Sequence, residues 1–524
     1  MITKNIKKSQ LLAIVCVILF LTFLDNTVVS VALSNIQTKL SAGVQDLQWI
    51  VDSYMLVFAV FMLSGGSLGD ILGRKKVMLS GVALFVIGSA VSMLSGTVDL
   101  LITGRVIMGL GAAASEPGTL SMIRHIYPDR KPRSRALGVW AAVSGIALAF
   151  GPIIGGVIIG FSDWRGIFVF NVIFGVIALI AGLILLPENS DPKDRKFDLY
   201  GLLLGGVSVF SVVLGLILGE TTGYDHWEII SLFSLSFICL IFFIMLERRR
   251  KDPVLPLAFF KKVQFSIANA VAFVANFGIF AVFFFVALYL QLIAGFSGYQ
   301  IALAFISMTA AIVLAALLAG KWSATHNTIL LTIAGCLIAA AGIFILNLLI
   351  KPSISTVNLS WALAIAGIGF GICLVTMTST VLNIIPPERS GMAASTVNTF
   401  RELGGVFGVA VLGTVVNAQL TVHLTHKLQR LHLPTNFQTF VIYAITHGGH
   451  TPQGVHVTIS EIASHASLIS QVTNAAYQAF GNGLTISLDI ATSLLLLTGL
   501  ITLVIYLWHV MNNKKDSLFS SQIN

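Results

Sequence analysis

Charge is scarce in this sequence: Asp, Glu, Lys and Arg make up 10% of its 524 residues, against roughly 25% in soluble domains. At 56% hydrophobic residues, a soluble chain of this length could not hide its apolar surface, because a single core stops growing near ~250–300 residues. Cysteine is scarce as well. Cys16, Cys239, Cys336 and Cys373 all lie in apolar runs and form no CxxC pair, which reads as small core residues and not as disulfides or metal ligands. A P-loop is missing, since Gly320-Lys321 lacks the preceding glycine and the following Ser or Thr. With no ATPase and no complete catalytic constellation in view, the expectation is a chain that is not an enzyme and needs no cofactor. Work done by it would draw on an ion gradient, on the gradient of what it moves, or on a separate subunit.

What the sequence has in quantity is long apolar runs. A membrane span needs about 20 such residues, and candidate spans fall at 11–33, 49–69, 77–96, 99–123, 136–160, 166–186, 199–219, 228–246, 267–292, 300–320, 328–350, 360–383, 393–417 and 487–509. The first follows Lys4, Lys7 and Lys8 as a signal peptide would, but it is long enough to span and has no small-residue cleavage site at its end. It is read as a retained helix. Fourteen spans put both termini on one side, and the basic residues say which. With the termini in the cytoplasm, 24 of the 31 Lys and Arg fall in inside segments and 5 in outside ones; Arg105 and Arg401 lie within spans. That asymmetry obeys the positive-inside rule and accounts for the net charge of +9 without nucleic acid as a partner.

Motifs cluster in the first half. The loop after span 2 reads Gly66-Ser-Leu-Gly-Asp70-Ile-Leu-Gly73-Arg74-Lys-Lys, a tight turn in which glycines permit close approach or positive φ and Asp70 and Arg74 can pair with each other or with helix ends. Taken alone, it is equally a plain basic loop. It closely resembles the signature loop of the major facilitator superfamily. Arg105-x-x-Met108-Gly109-x-Gly111 in span 4, Gly151-Pro152-Ile-Ile-Gly155-Gly156 in span 5 and Leu24-Asp25-Asn26-Thr27 in span 1 are similar to further motifs of that superfamily and of its fourteen-helix drug:proton antiporters. So are Trp49-Ile-Val-Asp52-x-Tyr54, Tyr289-Leu-Gln291 and Arg401-Glu402-Leu-Gly404-Gly405. Met108 and Ala147 depart from the motifs, and the second copy of the signature loop, at Gly320-Lys321-Trp322, is badly degraded.

The resemblance implies an all-α integral membrane fold of the major facilitator type: two six-helix bundles, 1–186 and 263–524, with two inserted helices and a basic linker at 187–262, and an external loop at about 418–486. It implies alternating access about a midplane site, protons as the energy source, a multi-pass position in a bacterial plasma membrane with lipid as the surrounding partner, action as a monomer, and export of lipophilic or drug-like small molecules. A dedicated metabolite carrier on the same fold remains open, and so, more remotely, does an integral-membrane enzyme or sensor.

Ionisable residues at membrane depth cost about 2.5–3.5 kcal/mol and are functional candidates by default. Asp25 lies about 21 Å from the inner edge and Arg105 about 9 Å from the outer one, counting 1.5 Å per residue, so the two share a depth in a core about 30 Å thick. They are read as a proton-coupling pair or as a static ion pair. Glu116, eleven residues past Arg105, falls on the same helix face about 16 Å nearer the cytoplasm, where the resemblance leads one to expect an apolar residue. It is a second proton or cation site, or a snorkelling or helix-end carboxylate. Asp52 meets cations at the external mouth or caps span 2. Phe273, Phe277, Phe280 and Phe284 form one helical stripe, either an aromatic wall for substrate or lipid-facing or packing side chains. With Tyr289 and Gln291 they complete the expected substrate contacts. Gly151, Pro152, Gly155 and Gly156 are expected to bend span 5 and admit a partner helix. Seven of the eleven histidines lie between 423 and 465; a metal or pH-sensing role there competes with an incidental lid, and no metal site is expected.

Overall fold

The computed structural model describes residues 7–42, 44–188, 198–250, 255, 257–296, 298–351, 354–386, 389–430 and 466–520. Within them run fourteen long helices: α1 Lys8–Leu40, α2 Val44–Leu72, α3 Arg74–Leu94, α4 Val98–Ile126, α5 Arg130–Phe161, α6 Arg165–Leu185, α7 Leu199–Thr222, α8 Trp227–Arg249, α9 from Val263–Ala281 through a π-turn at Val282–Val286 to Ala287–Leu292, α10 Gly298–Trp322, α11 Thr328–Leu349, α12 Thr356–Ile384, α13 Ser390–Arg430 and α14 Ala466–Ser520. Twelve pass as spans by length and hydropathy, thirteen when the two parts of α2 count as one, which is consistent with the fourteen spans read from the sequence without reaching that number. Helices are what a lipid environment allows, since each satisfies its own backbone. Their starts are fixed where short polar side chains cap exposed N–H groups: Thr97 accepts from Leu100 N, Asp198 from Gly201 N, Asn327 from Ile329 N and Ser355 from Asn358 N.

The packing repeats. In the first half α1 packs on α5, α2 on α4, and α3 on α4 and α6; eight helices later α9 packs on α13, α10 on α12, and α11 on α12 and α14. The halves join through α5 against α10 and α2 against α13, one contact under exchange of the halves. Helices α7 and α8 pair with each other, and α7 leans on α2 and α13 through Val213, which is buried with Leu56 and Val60 of α2. Large apolar side chains stay exposed on the outer helices, among them Ile173, Ile177 and Ile184 of α6 and Phe237, Phe242 and Met245 of α8. That is the surface a bilayer covers.

Several helices outrun the expected spans. Helix α2 begins at Val44, so Asp52 sits two turns inside it and is not its cap. The same helix bends by 49° between Trp49–Met62 and Ser64–Leu72. Much of the expected external loop is helical: α13 continues to Arg430 and α14 begins at Ala466. The extension of α13 buries Leu420, Leu424 and Leu428, spaced by four as one helix face requires. A hydropathy window averages such a stripe with the polar face opposite it, which is why hydropathy alone ends the span near 417. Of the seven clustered histidines, His423 and His426 are exposed on α13, and the other five lie outside the described residues. The described residues contain no group of His, Cys, Asp and Glu arranged to hold a metal.

The degraded second signature loop has a different use. A Cβ on Gly320 would land 2.8 Å from both Gly138 Cα and the Ser134 carbonyl oxygen, and one on Gly138 would land 2.8 Å from the Ala316 carbonyl oxygen. Two glycines facing each other let α5 and α10 cross backbone to backbone at the end of the bundle that bears the basic loops.

Candidate functional site

At that basic end, Asp70 holds the halves together. Its Oδ1 accepts from Arg74 Nε at 3.1 Å, from Arg74 Nη2 at 3.0 Å and from Gly391 N at 3.1 Å, while its Oδ2 accepts from Met392 N at 2.9 Å. Gly391 and Met392 belong to the first turn of α13, whose N–H groups have no partner within the helix and whose dipole favours a carboxylate. Gly66 brings the chains close, since a Cβ there would land 2.5 Å from the Gly391 carbonyl oxygen. Gly73 turns the chain into α3 with φ +110°, a value L side chains rarely adopt. Further ties across this end run from Arg124 to the Leu382 carbonyl, from Arg133 to Asn383 and from Arg130 to the His326 carbonyl.

Two ion clusters lie deeper. In the first, Arg105 Nη1 donates to Asp25 Oδ2, as the depth match predicts. Asn171 Nδ2 donates to Asp25 Oδ1 at 2.8 Å, and Arg105 Nε donates to the Ile50 carbonyl at 2.9 Å. The guanidinium lies 4.4 Å from the centre of the Tyr54 ring, and the Tyr54 hydroxyl donates to the Thr22 carbonyl at 3.0 Å. All of these residues come from the first half, and one carboxylate meets one guanidinium.

The second cluster is not legible in the sequence as a unit. Glu116 of α4 is neither snorkelling nor at a helix end: it is fully buried, and Arg401 Nη2, reaching over from α13 in the other half, donates to its Oε1. The same nitrogen donates to Glu402 Oε1 at 3.1 Å. The Arg401 guanidinium faces the rings of Phe23 at 4.7 Å and Trp140 at 5.8 Å, and its backbone carbonyl accepts from Asn276 Nδ2 at 2.9 Å. Two carboxylates thus share one guanidinium. Glu116 Oε2 and Arg401 Nη1 are buried with no hydrogen-bond partner among the described residues.

Arg401 and Glu402 also line a cavity between the halves, together with Phe23, Asn26, Ser144, Asn276, Phe280 and Phe283. It holds about 20 Å³, room for about one water, so a larger occupant requires the halves to part. The aromatic stripe is split here. Phe277 is buried against α13, Phe280 faces the cavity, and Phe284 is 51% exposed. The π-turn at Val282–Val286 adds a residue to the turn, which rotates Phe284 off the stripe and brings Phe283 in. Tyr289 is buried elsewhere, 6.5 Å from the Phe480 ring. Gln291 is in the last turn of α9, with its side chain outside the described set; Asp52 is half-buried in α2. In α5 the helix runs through Pro152 unbroken. Gly151 packs on Thr27 and Val28 of α1 and Gly155 is buried, whereas a Cβ on Gly156 would meet nothing within 4 Å among the described residues.

Comparison with known proteins agrees with this architecture. The family model of the Major Facilitator Superfamily matches residues 15–409. The chain is 31% identical over 477 residues to the multidrug resistance protein Stp of Mycobacterium tuberculosis, covering 91% of this chain and 88% of that one. It is 31% identical over 402 residues to the methylenomycin A resistance protein of Bacillus subtilis, covering 76% and 85%. Among solved structures, the human organic anion transporter MFSD10 superposes with a TM-score of 0.58 at 13% identity, over 78% of this chain and 93% of that one, a likeness of fold.

Proposed function

The chain belongs to the Major Facilitator Superfamily, and we propose that it exports amphipathic, drug-like small molecules from a bacterial cytoplasm in exchange for protons. The basic end faces the cytoplasm by the positive-inside rule, and transport proceeds by rocking of the two halves about the central cavity. The resistance proteins named above support export as the direction and small antibiotics as the cargo class.

One observation carries the coupling. The Glu116–Arg401–Glu402 cluster holds two carboxylates against one guanidinium, so it bears one negative charge in excess in a setting where an uncompensated charge costs several kcal/mol. A proton cancels that excess; so does a cation lodged beside Glu402 in the aromatic-lined cavity. Asp25 is already balanced by Arg105, so we assign the exchanged proton to Glu116 or Glu402 and give the Asp25–Arg105 pair the task of holding α1 to α4, close beside the cluster.

The test is dissipation of an imposed pH gradient by added substrate in inside-out vesicles, with lipophilic cations and neutral antibiotics as the panel. Wild type should release protons on substrate addition, and Glu116→Gln or Glu402→Gln should not, at equal protein level. Proton release that persists in both variants would refute this assignment. A response confined to one metabolite, with unrelated lipophilic cations ignored, would favour a dedicated carrier on the same fold.

A further inference from the structure

A second cavity opens at the basic end, on the side where α5 crosses α10. It holds about 600 Å³, within the range of small-ligand pockets, and it takes no part in the central cavity. Its walls come from both halves. Arg130 and Arg133 stand on the first turn of α5; His326, Asn327 and Asn383 belong to the α10–α11 turn and the end of α12. Its described lining residues include two guanidiniums and no carboxylate. Arg133 is 8% exposed, with Nη1 donating to the Pro128 carbonyl at 2.7 Å, Nη2 directed to Asn383 and Nε without a hydrogen-bond partner among the described residues. Arg130 is exposed, and its Nη2 donates to the His326 carbonyl of the other half at 3.1 Å.

This is costly architecture for a plain loop. Two like charges are held beside each other, one of them more than nine-tenths buried, with the Asp129 carboxylate at the α5 N-cap acting on Arg133 in the opposite sense, and the imidazole of His326 adds a third nitrogen-bearing group. The α11 N-terminus, capped by Asn327, presents its positive end to the same space. Planar guanidiniums in this setting recognise phosphate oxygens.

We propose that this cavity binds a phosphate-bearing anion from the cytoplasmic side. Because Arg130 and Arg133 belong to one half and the rest of the wall to the other, the complete site exists only while the basic end is closed. The anion therefore favours the closed conformer by its differential affinity for it, and it slows the opening that loads substrate from the cytoplasm. The binding part of the inference is independent of what the protein exports. The phosphate has two sources, a soluble polyphosphate or the headgroup of an anionic lipid at the membrane surface.

The experiment uses the purified full-length protein. In one arm, inorganic pyrophosphate is titrated in detergent at fixed ionic strength, with chloride as the matched control, and the melting temperature is followed. In the other, the protein sits in nanodiscs of neutral lipid with or without phosphatidic acid or cardiolipin. Stabilisation by pyrophosphate alone assigns a soluble ligand, and stabilisation by the anionic lipid alone assigns a headgroup. In either case Arg130→Gln, at an exposed position away from the packed core, should weaken the response about tenfold, the loss of one charge-assisted contact. Asp70→Asn touches no wall of the cavity but loosens closure, and it should weaken the same response. Chloride acting as well as pyrophosphate, with no lipid effect, would overturn the site. A response indifferent to Arg130→Gln would overturn it too, and one indifferent to Asp70→Asn would overturn its link to closure.

Discussion

Asp25 and Arg105 meet inside the first half of the molecule; Glu116, Arg401 and Glu402 meet across its middle. Both clusters are buried and use a guanidinium over an aromatic ring. They differ in balance and in what they join. The first is neutral, with both carboxylate oxygens engaged, and it ties helices that move together. The second sets two carboxylates against one guanidinium, keeps one carboxylate oxygen unpartnered among the described residues, and ties helices of opposite halves. A neutral pair within one body is a fastener. The proposed coupling rests on the second arrangement, in which a proton or a cation supplies the missing positive charge.

The comparison is broken most severely by removing a guanidinium. Arg401→Ala leaves two buried carboxylates facing each other and should cost about 3–5 kcal/mol, the usual loss when one partner of a buried pair is deleted; folded yield and melting temperature would register it. The next experiment separates coupling from stability. Glu116→Gln should reduce proton-driven export at least tenfold while leaving downhill substrate flux intact. Asp25→Asn should lower stability and overall flux yet preserve protons released per substrate; if Asp25→Asn abolishes proton release while Glu116→Gln does not, the two roles are reversed. A smaller effect is expected from Asp70→Asn, which removes a carboxylate from the first turn of α13 and from Arg74. At about 1–2 kcal/mol, it should shift the ratio of closed to open basic ends roughly tenfold, read from spin-label distances across that end. The smallest contrast lies in the aromatic stripe. Phe280→Ala should change the substrate profile several-fold, and Phe284→Ala, on an exposed position beyond the π-turn, should leave transport within about twofold.

The helical architecture and the Asp25–Arg105 pair are legible in the amino-acid sequence because both follow from fixed lengths. A span needs a set number of apolar residues, and a constant rise per residue converts sequence position into depth. The same arithmetic singles out Glu116 as a charge at depth but cannot find its partner. Arg401 comes from a helix 285 residues further on, and which faces of α4 and α13 meet is decided by packing between the halves. The π-turn in α9 is invisible for a different reason. Val282–Val286 is an ordinary apolar stretch, and a change of helical register there depends on what it packs against. The bend in α2 and the long extensions of α13 to Arg430 and of α14 from Ala466 escape because hydropathy reports how apolar a window is and carries no record of direction or of where an amphipathic helix stops.

Helix α13 begins at the Asp70 contact, passes through Arg401, and continues without interruption to Arg430. At 1.5 Å per residue it is a rod of roughly 60 Å, about twice the thickness of the hydrocarbon layer. Taken as a lever pivoting at Arg401, it has a short arm of about 15 Å to Gly391 and a long arm of about 44 Å to Arg430. A tilt of roughly 10° that shifts the short end by about 3 Å sweeps the far tip through about 8 Å. A displacement at the Gly391 end is thus magnified nearly threefold at the Arg430 end, and a clamp applied to that far tip would have the mechanical advantage needed to hold the short arm still.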